Sequence, residues 1–346
     1  VAIESLGSSL RNAPTALVAD IGGTNARLAI ADLATLKVSG AASFRCADFP
    51  SLEAVAAAFL RGVPERGVAQ RPAAAAFAVA APVVGDRIRL TNSPWSFGHD
   101  ELRSAIGVET LLLLNDFEAL AHVLPHLGAA ELHQIGGGAP VERAAKVVLG
   151  PGTGLGVAGL AWSPAGWQAL PSEGGHTAFA VEGATEFAML ERLLRGRERL
   201  SVERLVSGPG LADVYRVLAE LQGRPAPPLE AAEVVRRAHA GDDPVAREAL
   251  DRFATWLGRF AGDAALFMGA RGGVYIGGGI APRMLDVLSA GRFRRAFEAK
   301  GRMSAFLAPI PAYVILATDA ALKGAAAALA GRLAEIQPSA SDAGCS

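Results

Sequence analysis

The sequence predicts an α/β protein built from two domains, and three observations carry that reading. The chain has 346 residues, enough for about two domains of ordinary size. Two separate blocks, residues 16–32 and 146–162, each read as strand, glycine turn, strand. After each block, short apolar runs alternate with amphipathic segments, as when a sheet is covered by helices. The repeat is one of pattern and not of residue identity; it points to two related units descended from an old duplication.

Each element has a local reason. In ALVADIGGTNARLAIAD (16–32) apolar residues alternate on both sides of Gly22 and Gly23, which gives a hairpin. Ser51 opens a helix that carries Leu52, Val55 and Phe59 on one face. The run AAAAFAVAAPV is ambiguous by composition, but Phe77, Val79 and the following Pro82 favour a buried strand. TLLLLND (110–116) is another buried strand, continued by a helix from Phe117. KVVLGPGTGLGVAGLAW (146–162) is the second hairpin. Leu205–Leu221 and Asp243–Met268 read as mostly helical, with glycine breaks. Residues 272–288 read as strand, glycine turn and helix, and the chain closes with a strand and a long alanine-rich helix. Residues 222–229 form a proline-rich surface loop, and residues 1–14 and 336–346 read as flexible ends.

Composition excludes several classes of function. Formal net charge is −1, which argues against a general electrostatic grip on nucleic acid or on an anionic membrane. The most apolar stretch, residues 73–84, is about half the length of a membrane span and contains Pro82. The N-terminal residues lack the basic start and apolar block of a secretory signal. Cys46 and Cys345 are the two cysteines; they read as bystander thiols of a reducing compartment, so a cytoplasmic location is expected.

Three glycine-rich turns stand out: Asp20–Arg27, Gly150–Gly156 and Gly277–Gly279. Glycines let successive backbone N–H groups approach a phosphate. One such turn alone reads better as plain structure, because glycine is common in this sequence. The P-loop string G-x-x-x-x-G-K-[ST] is absent, and the first two turns lead into strands where a dinucleotide fingerprint needs a helix. A phosphate loop inside a hairpin and opening with an aspartate is a different design: Asp20 can hold a metal-bound water while Thr24 and backbone amides face phosphates.

The strings VADIGGTNARLA, TNSPWSF, LLNDFEALA, GPGTGLGVA, PSEGGH, ERLVSGPGL, GGVYIGGGIAPR and RFRRAFEAKGRM follow one another from about residue 16 to 335. In content, order and spacing they resemble the bacterial glucokinase family, within the hexokinase, actin and Hsp70 superfamily. The resemblance implies two ribonuclease-H-like (actin-like ATPase) domains flanking a nucleotide and sugar cleft. The smaller would comprise 15–126 and 317–335, the larger 127–316. It further implies ATP and Mg2+ as cofactors, glucose as substrate, closure of the domains over bound sugar, and a homodimer. A related family of sugar kinases and repressors shares the Asp-Gly-Gly-Thr opening but carries a cysteine-rich zinc site, which two distant cysteines cannot build.

By the same resemblance, Asp116 is the base that accepts the proton of the sugar 6-hydroxyl; by pattern alone it equally caps the helix at Phe117. Asn115, Glu173, His176 and Glu203 would bind the sugar hydroxyls. By pattern, Glu173 is equally a solvated acid, His176 a core histidine and Glu203 an exposed helix residue. Ala19, Asp20, Ile21, Gly22, Gly23 and Thr24 would form the first phosphate loop, with Asp20 reaching Mg2+ through water. Gly152, Thr153 and Gly154 would form the second, and Gly277, Gly278 and Gly279 the adenosine loop. Thr91, Asn92 and Trp95 read as a polar and aromatic loop beside the sugar, or Trp95 as core. Arg27 reads as a hairpin brace, His122 and His126 as helix-surface residues, and Arg292, Arg294 and Arg295 as a solvated face balanced by Glu298. A broader hexose kinase, a phosphatase or acyl-phosphate enzyme of the same superfamily, and a non-catalytic sugar sensor are the rival readings.

Overall fold

A computed structural model describes residues 15–62, 72–90 and 93–336. Of the expected flexible ends, 1–14 and 336–346, all but residue 336, which closes the last helix, lie outside the described residues, as does the Thr91–Asn92 part of the proposed sugar loop. The chain divides into two compact units, Val1–His126 with Thr318–Ser346, and Leu127–Ala317.

The first unit begins with β1 (Thr15–Ile21), β2 (Asn25–Asp32) and β3 (Val38–Arg45), then α1 (Leu52–Arg61) and β4 (Ala74–Val79). The small ribbon β5 (Arg87–Arg89) and β6 (Ser96–Gly98), α2 (His99–Ile106), β7 (Thr110–Asn115) and α3 (Asp116–Val123) follow. The sheet order is β3-β2-β1-β4-β7, with β1, β4 and β7 parallel and β2 and β3 antiparallel to their neighbours. Ser51 caps α1 by accepting from the Ala54 N–H at 3.3 Å, which satisfies one of the helix's orphan donors.

The sheet's two faces differ in kind. One carries Leu17, Ile21, Leu28 and Phe77 against Leu52 and Phe59 of α1, all fully buried; each such side chain contributes about 1.5–3 kcal/mol by leaving water. The other face is small, with Ala16, Ala29, Ala76 and Ala78 against an equally alanine-rich C-terminal helix. Trp95 is core: it is 3% exposed and its indole N–H donates to the Phe49 carbonyl at 3.2 Å.

The second unit contains β8 (Leu132–Ile135), β9 (Lys146–Pro151), β10 (Leu155–Ser163) and β11 (Gly166–Ser172). Helices α4 (Gly183–Leu193), α5 (Gly208–Leu221), α6 (Ala231–Ala240) and α7 (Pro244–Met268) follow. Then come β12 (Val274–Ile276), α8 (Leu285–Ser289), α9 (Arg292–Glu298), α10 (Ser304–Leu307) and β13 (Ala312–Ile315). The chain finally returns to the first unit as α11 (Ala320–Ile336). The sheet order is β11-β10-β9-β12-β13-β8, with β9, β12 and β13 parallel. Removing the edge strand β8 leaves the pattern of the first unit: a central strand, two antiparallel hairpin strands on one side, two parallel strands on the other. The repeat seen in the sequence is therefore a repeat of topology.

Two expectations are corrected. The glycines of α7 do not break it; the helix runs unbroken for 25 residues. Gly258 and Gly262 lie where α9 crosses: a Cβ on either would come within 2.2 Å of the Phe293 carbonyl oxygen or 2.5 Å of the Phe297 carbonyl oxygen. The glycines serve close helix approach, for which α7 gives up about 1 kcal/mol of helix propensity at each. Arg294 is not part of a solvated face. It is 8% exposed and donates to the Ile310 and Ala308 carbonyls at 2.7 and 2.6 Å and to Glu298. Arg292 pairs with Asp251 at 3.2 Å. No helix among the described residues is long and apolar enough to cross a membrane.

Candidate active site

In the first unit the parallel strands end together. Their register aligns Ile21 with Val79, and Val79 with Asn115, so the Gly22–Thr24 turn, Ala80–Ala81 and Asp116 all emerge at the carboxyl end of one sheet. Crevices at that end are where open α/β sheets take ligands. The turn is closed by Gly22 N–H donating to the Asn25 carbonyl at 2.9 Å, and the Thr24 carbonyl accepts from Cys46 N–H at 2.8 Å. Cys46 is a buried free thiol, and its Sγ lies 3.5 Å from the Gly22 carbonyl oxygen. Arg27 donates to the Thr318 carbonyl at 2.6 Å, tying the hairpin to the approach to α11.

The helix cap falls to Asn115. Its Oδ1 accepts from the Phe117 N–H at 2.9 Å and its Nδ2 donates to the Ala81 carbonyl at 3.3 Å, while Glu118 reaches back to the Asn115 N–H at 3.3 Å. Asp116 occupies the first helical position, with Oδ1 3.0 Å from the Phe117 N. Asn115 therefore keeps one N–H and one lone pair for a ligand, and the Asp116 carboxylate is left largely uncommitted. Burial, and then the negative charge of Asp20, push Asp116 up to about 7, against the hydrogen bonds from Phe117 and Asn115. Burial also raises Asp20, partly offset by the positive charge of Arg27. Two carboxylates at one sheet end that resist joint ionisation are a signature of functional sites.

In the second unit the glycine turns meet one another. Gly152 N–H donates to the Gly154 carbonyl at 2.8 Å and closes the β9–β10 turn, with Thr153 exposed at its tip. Gly208 N–H, at the start of α5, donates to the Gly152 carbonyl at 2.8 Å, and Gly277 N–H donates to the Leu149 carbonyl at 2.8 Å. Gly278 has φ +81, and a Cβ there would sit 2.8 Å from the Pro151 carbonyl oxygen, so this turn is reserved for glycine. Gly279 has open space around it. The N-terminus of α5, capped by Ser207 through the Gly210 N–H at 3.1 Å, adds the positive end of a helix dipole to the same loop cluster. The sequence reading assigned no role to Gly208; a serine followed at once by Gly-Pro-Gly is the cap signal that marks it.

The hydroxyl-binding candidates gather around His176. Its Nε2 lies 3.8 Å from Glu173 Oε2 and its Nδ1 3.8 Å from Glu203 Oε1, too far for hydrogen bonds to each other, so these atoms keep hydrogen-bonding capacity for a ligand beside them. Glu203 is not an ordinary exposed helix residue: its side chain is 24% exposed and Oε2 accepts from the Leu155 N–H at 3.0 Å. A Cβ on Gly175 would fall 2.0 Å from the Leu155 carbonyl oxygen, which explains the glycine in Glu-Gly-Gly-His. His122 is half-buried, not on the helix surface, and burial lowers its pKa. Among the described residues no cluster of three or more histidines, cysteines or acids forms a metal cage.

The glucokinase family model matches residues 17–332. The chain belongs to the glucokinase family. It is 43% identical to a glucokinase of Neisseria gonorrhoeae over 92% of this chain and 96% of that one. It is 45% identical to a glucokinase of Chromobacterium violaceum over 95% and 93%. A crystal structure of a glucokinase from an Antarctic psychrotroph superposes with a TM-score of 0.81 at 37% identity, covering 91% of this chain and 98% of that one. The two repeated α/β units are the actin-like ATPase architecture.

Proposed function

We propose that Asp116 is the general base of an ATP-dependent phosphoryl transfer to the 6-hydroxyl of glucose. The reaction class follows from family membership: the chain is a glucose kinase. Asp116 takes the hydroxyl proton, the sugar oxygen bonds to the γ-phosphorus, the bond from phosphorus to the β–γ bridging oxygen breaks, and ADP and glucose 6-phosphate result. The observation that carries this reading is the Asp116 carboxylate at the strand end, poised near 7 beside Asp20. A base works best with a pKa near the working pH.

The remaining roles follow from the donors and acceptors present. Glu173, His176 and Glu203, with the spare valences of Asn115, hydrogen-bond sugar hydroxyls; such a set suits a neutral polyol and penalises analogues that leave a buried polar group unpaired. Backbone amides of 22–24, 152–154 and the α5 N-terminus receive phosphate oxygens, and Gly277–Gly279 leaves room for the nucleoside. Asp20 fits Mg2+ held mainly by phosphates and water: it is one carboxylate, its charge repels Asp116, and among the described residues no cluster of three or more acids, histidines or cysteines forms a cage. When bound, the ion neutralises phosphate charge. A cytoplasmic location and a homodimer belong to the same proposal; sedimentation equilibrium decides the second.

The test is ATP- and Mg2+-dependent turnover on glucose, mannose, fructose and N-acetylglucosamine side by side. Glucose is expected to lead. Comparable rates on several hexoses would make the chain a broad hexose kinase, and binding without turnover would make it a sensor. A pH series gives a second check. The base must be ionised, so kcat/KM for glucose should rise with pH, about tenfold per unit at low pH, and level off above about 7. A flat profile from pH 5.5 to 8 would remove Asp116 from the role. Asp20→Asn removes the repelling charge and should move the midpoint to lower pH.

A further inference from the structure

We propose that Arg259 is a positioning residue of the sugar site, acting through residues 177–182 on the loop that presents Glu173 and His176. The inference rests on the reading of Glu173, His176 and Glu203 as sugar contacts.

The loop with Glu173 and His176 and the strand end leading to Glu203 are joined as a short ribbon. Ala178 bridges Ser201, Phe179 N–H donates to the Leu200 carbonyl at 3.0 Å, and Val202 N–H donates to the Thr177 carbonyl at 3.0 Å. Arg199 adds a hydrogen bond to the His176 carbonyl. A two-strand ribbon of this length is not stable by itself, so its placement depends on what holds its far end.

Arg259 of α7 holds it. Its Nη1 donates to the Ala180 carbonyl at 3.0 Å and to Glu186 Oε2 at 3.0 Å. Its Nη2 donates to Glu186 Oε1 at 3.0 Å and lies 3.0 Å from Glu182. Glu186 in turn accepts from the Trp256 indole N–H at 2.8 Å and from the Glu182 N–H at 2.7 Å. Phe179 lies edge-on to Trp256 at 5.2 Å. The Arg259 and Glu186 side chains are only 12% and 7% exposed. Burial would raise Glu186, but its hydrogen bonds from Arg259 and Trp256 outweigh this and hold it below the usual carboxylate range, so the pair is ionised at neutral pH.

A buried ion pair gives no clear stability advantage over packed apolar side chains. What it does supply is direction: the planar fork bonds Ala180, Glu182 and Glu186 at once, a geometry an ammonium cannot reproduce. The bonds fix a backbone segment whose upstream end is His176. The turns of the second unit assigned to nucleotide have bonds of their own from Gly208 and Gly277, and they meet the ribbon through the hydrogen bond from the Leu155 N–H to Glu203. Arg259 therefore acts on sugar binding more than on nucleotide binding.

The test is steady-state kinetics of Arg259→Lys and Arg259→Ala with each substrate varied in turn, alongside thermal melts. Losing a hydrogen bond from a charged donor typically costs ~1.5–3 kcal/mol, so KM for glucose should rise roughly tenfold or more in Arg259→Ala and by a smaller factor in Arg259→Lys. KM for ATP should stay within about threefold. Should Arg259→Ala fail to fold, Arg259→Lys, which keeps the charge, decides alone. An unchanged KM for glucose in folded Arg259→Lys, or equal rises for both substrates, overturns the proposal. His176→Ala separates the two levels. If it too leaves glucose binding intact, the sugar-site reading falls; if it weakens glucose while Arg259→Lys does not, only the positioning role falls.

Discussion

Asp116→Asn should lower kcat for glucose phosphorylation by at least ~10²-fold, the lower range for loss of a general base, with the fold unchanged. The substitution is nearly isosteric. An asparagine Oδ1 can still accept from the Phe117 N–H, now 3.0 Å from Asp116 Oδ1, and the Asn115 cap and its Glu118 partner are untouched. Removing the charge also relieves the repulsion from Asp20 that pushes Asp116 up to about 7, so the melting temperature should hold or rise. What the amide lacks is any capacity to take a proton at neutral pH. KM for glucose should move far less than kcat, because the lost interaction develops in the transition state. A variant that keeps turnover within a few-fold of the parent would return Asp116 to the role of a helix residue.

Gly324→Ala should be destabilising and should cost activity well beyond the stability loss. On α11, a Cβ at Gly324 would lie 1.9 Å from the Ala119 carbonyl oxygen and 2.6 Å from its carbon. Ala119 is on α3, whose first residue is Asp116, so backbone has to move, and the backbone that moves carries the proposed base. Overpacking of this kind costs about 1–3 kcal/mol, and a 1 Å displacement of a reacting group can cost about 10²-fold. Gly331→Ala on the same helix is the control. Nothing lies within 4 Å of its would-be Cβ, and the residue is exposed, so alanine there should stabilise by up to ~1 kcal/mol through helix propensity. Thermal melts together with kcat on both variants test the pair. Equal effects at the two positions would show that the contact between α11 and α3 does not position the base.

Most of the architecture could be read from local pattern. The two hairpins, the strands at 74–79 and 110–115, the Ser51 cap and the long terminal helix each announce themselves through periodicity or a cap residue within one segment; only the first of those strands is buried throughout, because the second lies at the sheet edge. The order of the motif strings gave the family as well. Local pattern misread the α7 glycines and Arg294 for one reason: a glycine that admits a neighbouring helix looks the same, in its own segment, as a glycine that ends a helix. Arg294 sits in a basic run, yet its partners, the carbonyls of Ala308 and Ile310, are 14 and 16 residues away.

The sequence by itself determined the class of fold, the glycine turns, the membership in the glucokinase family and the candidate residues, because each is written in contiguous residues. Tertiary structure alone decided how those residues are held. It put the helix cap on Asn115 and freed Asp116, set Glu203 and Glu173 on either side of His176, and tied that loop to Arg259, 73 residues from its partner Glu186. It also turned Gly324 into a point of backbone contact. The physical reason is that hydrogen bonds, charge fields and steric approach depend on distance in space, whereas periodicity reports only which face of its own element a residue occupies.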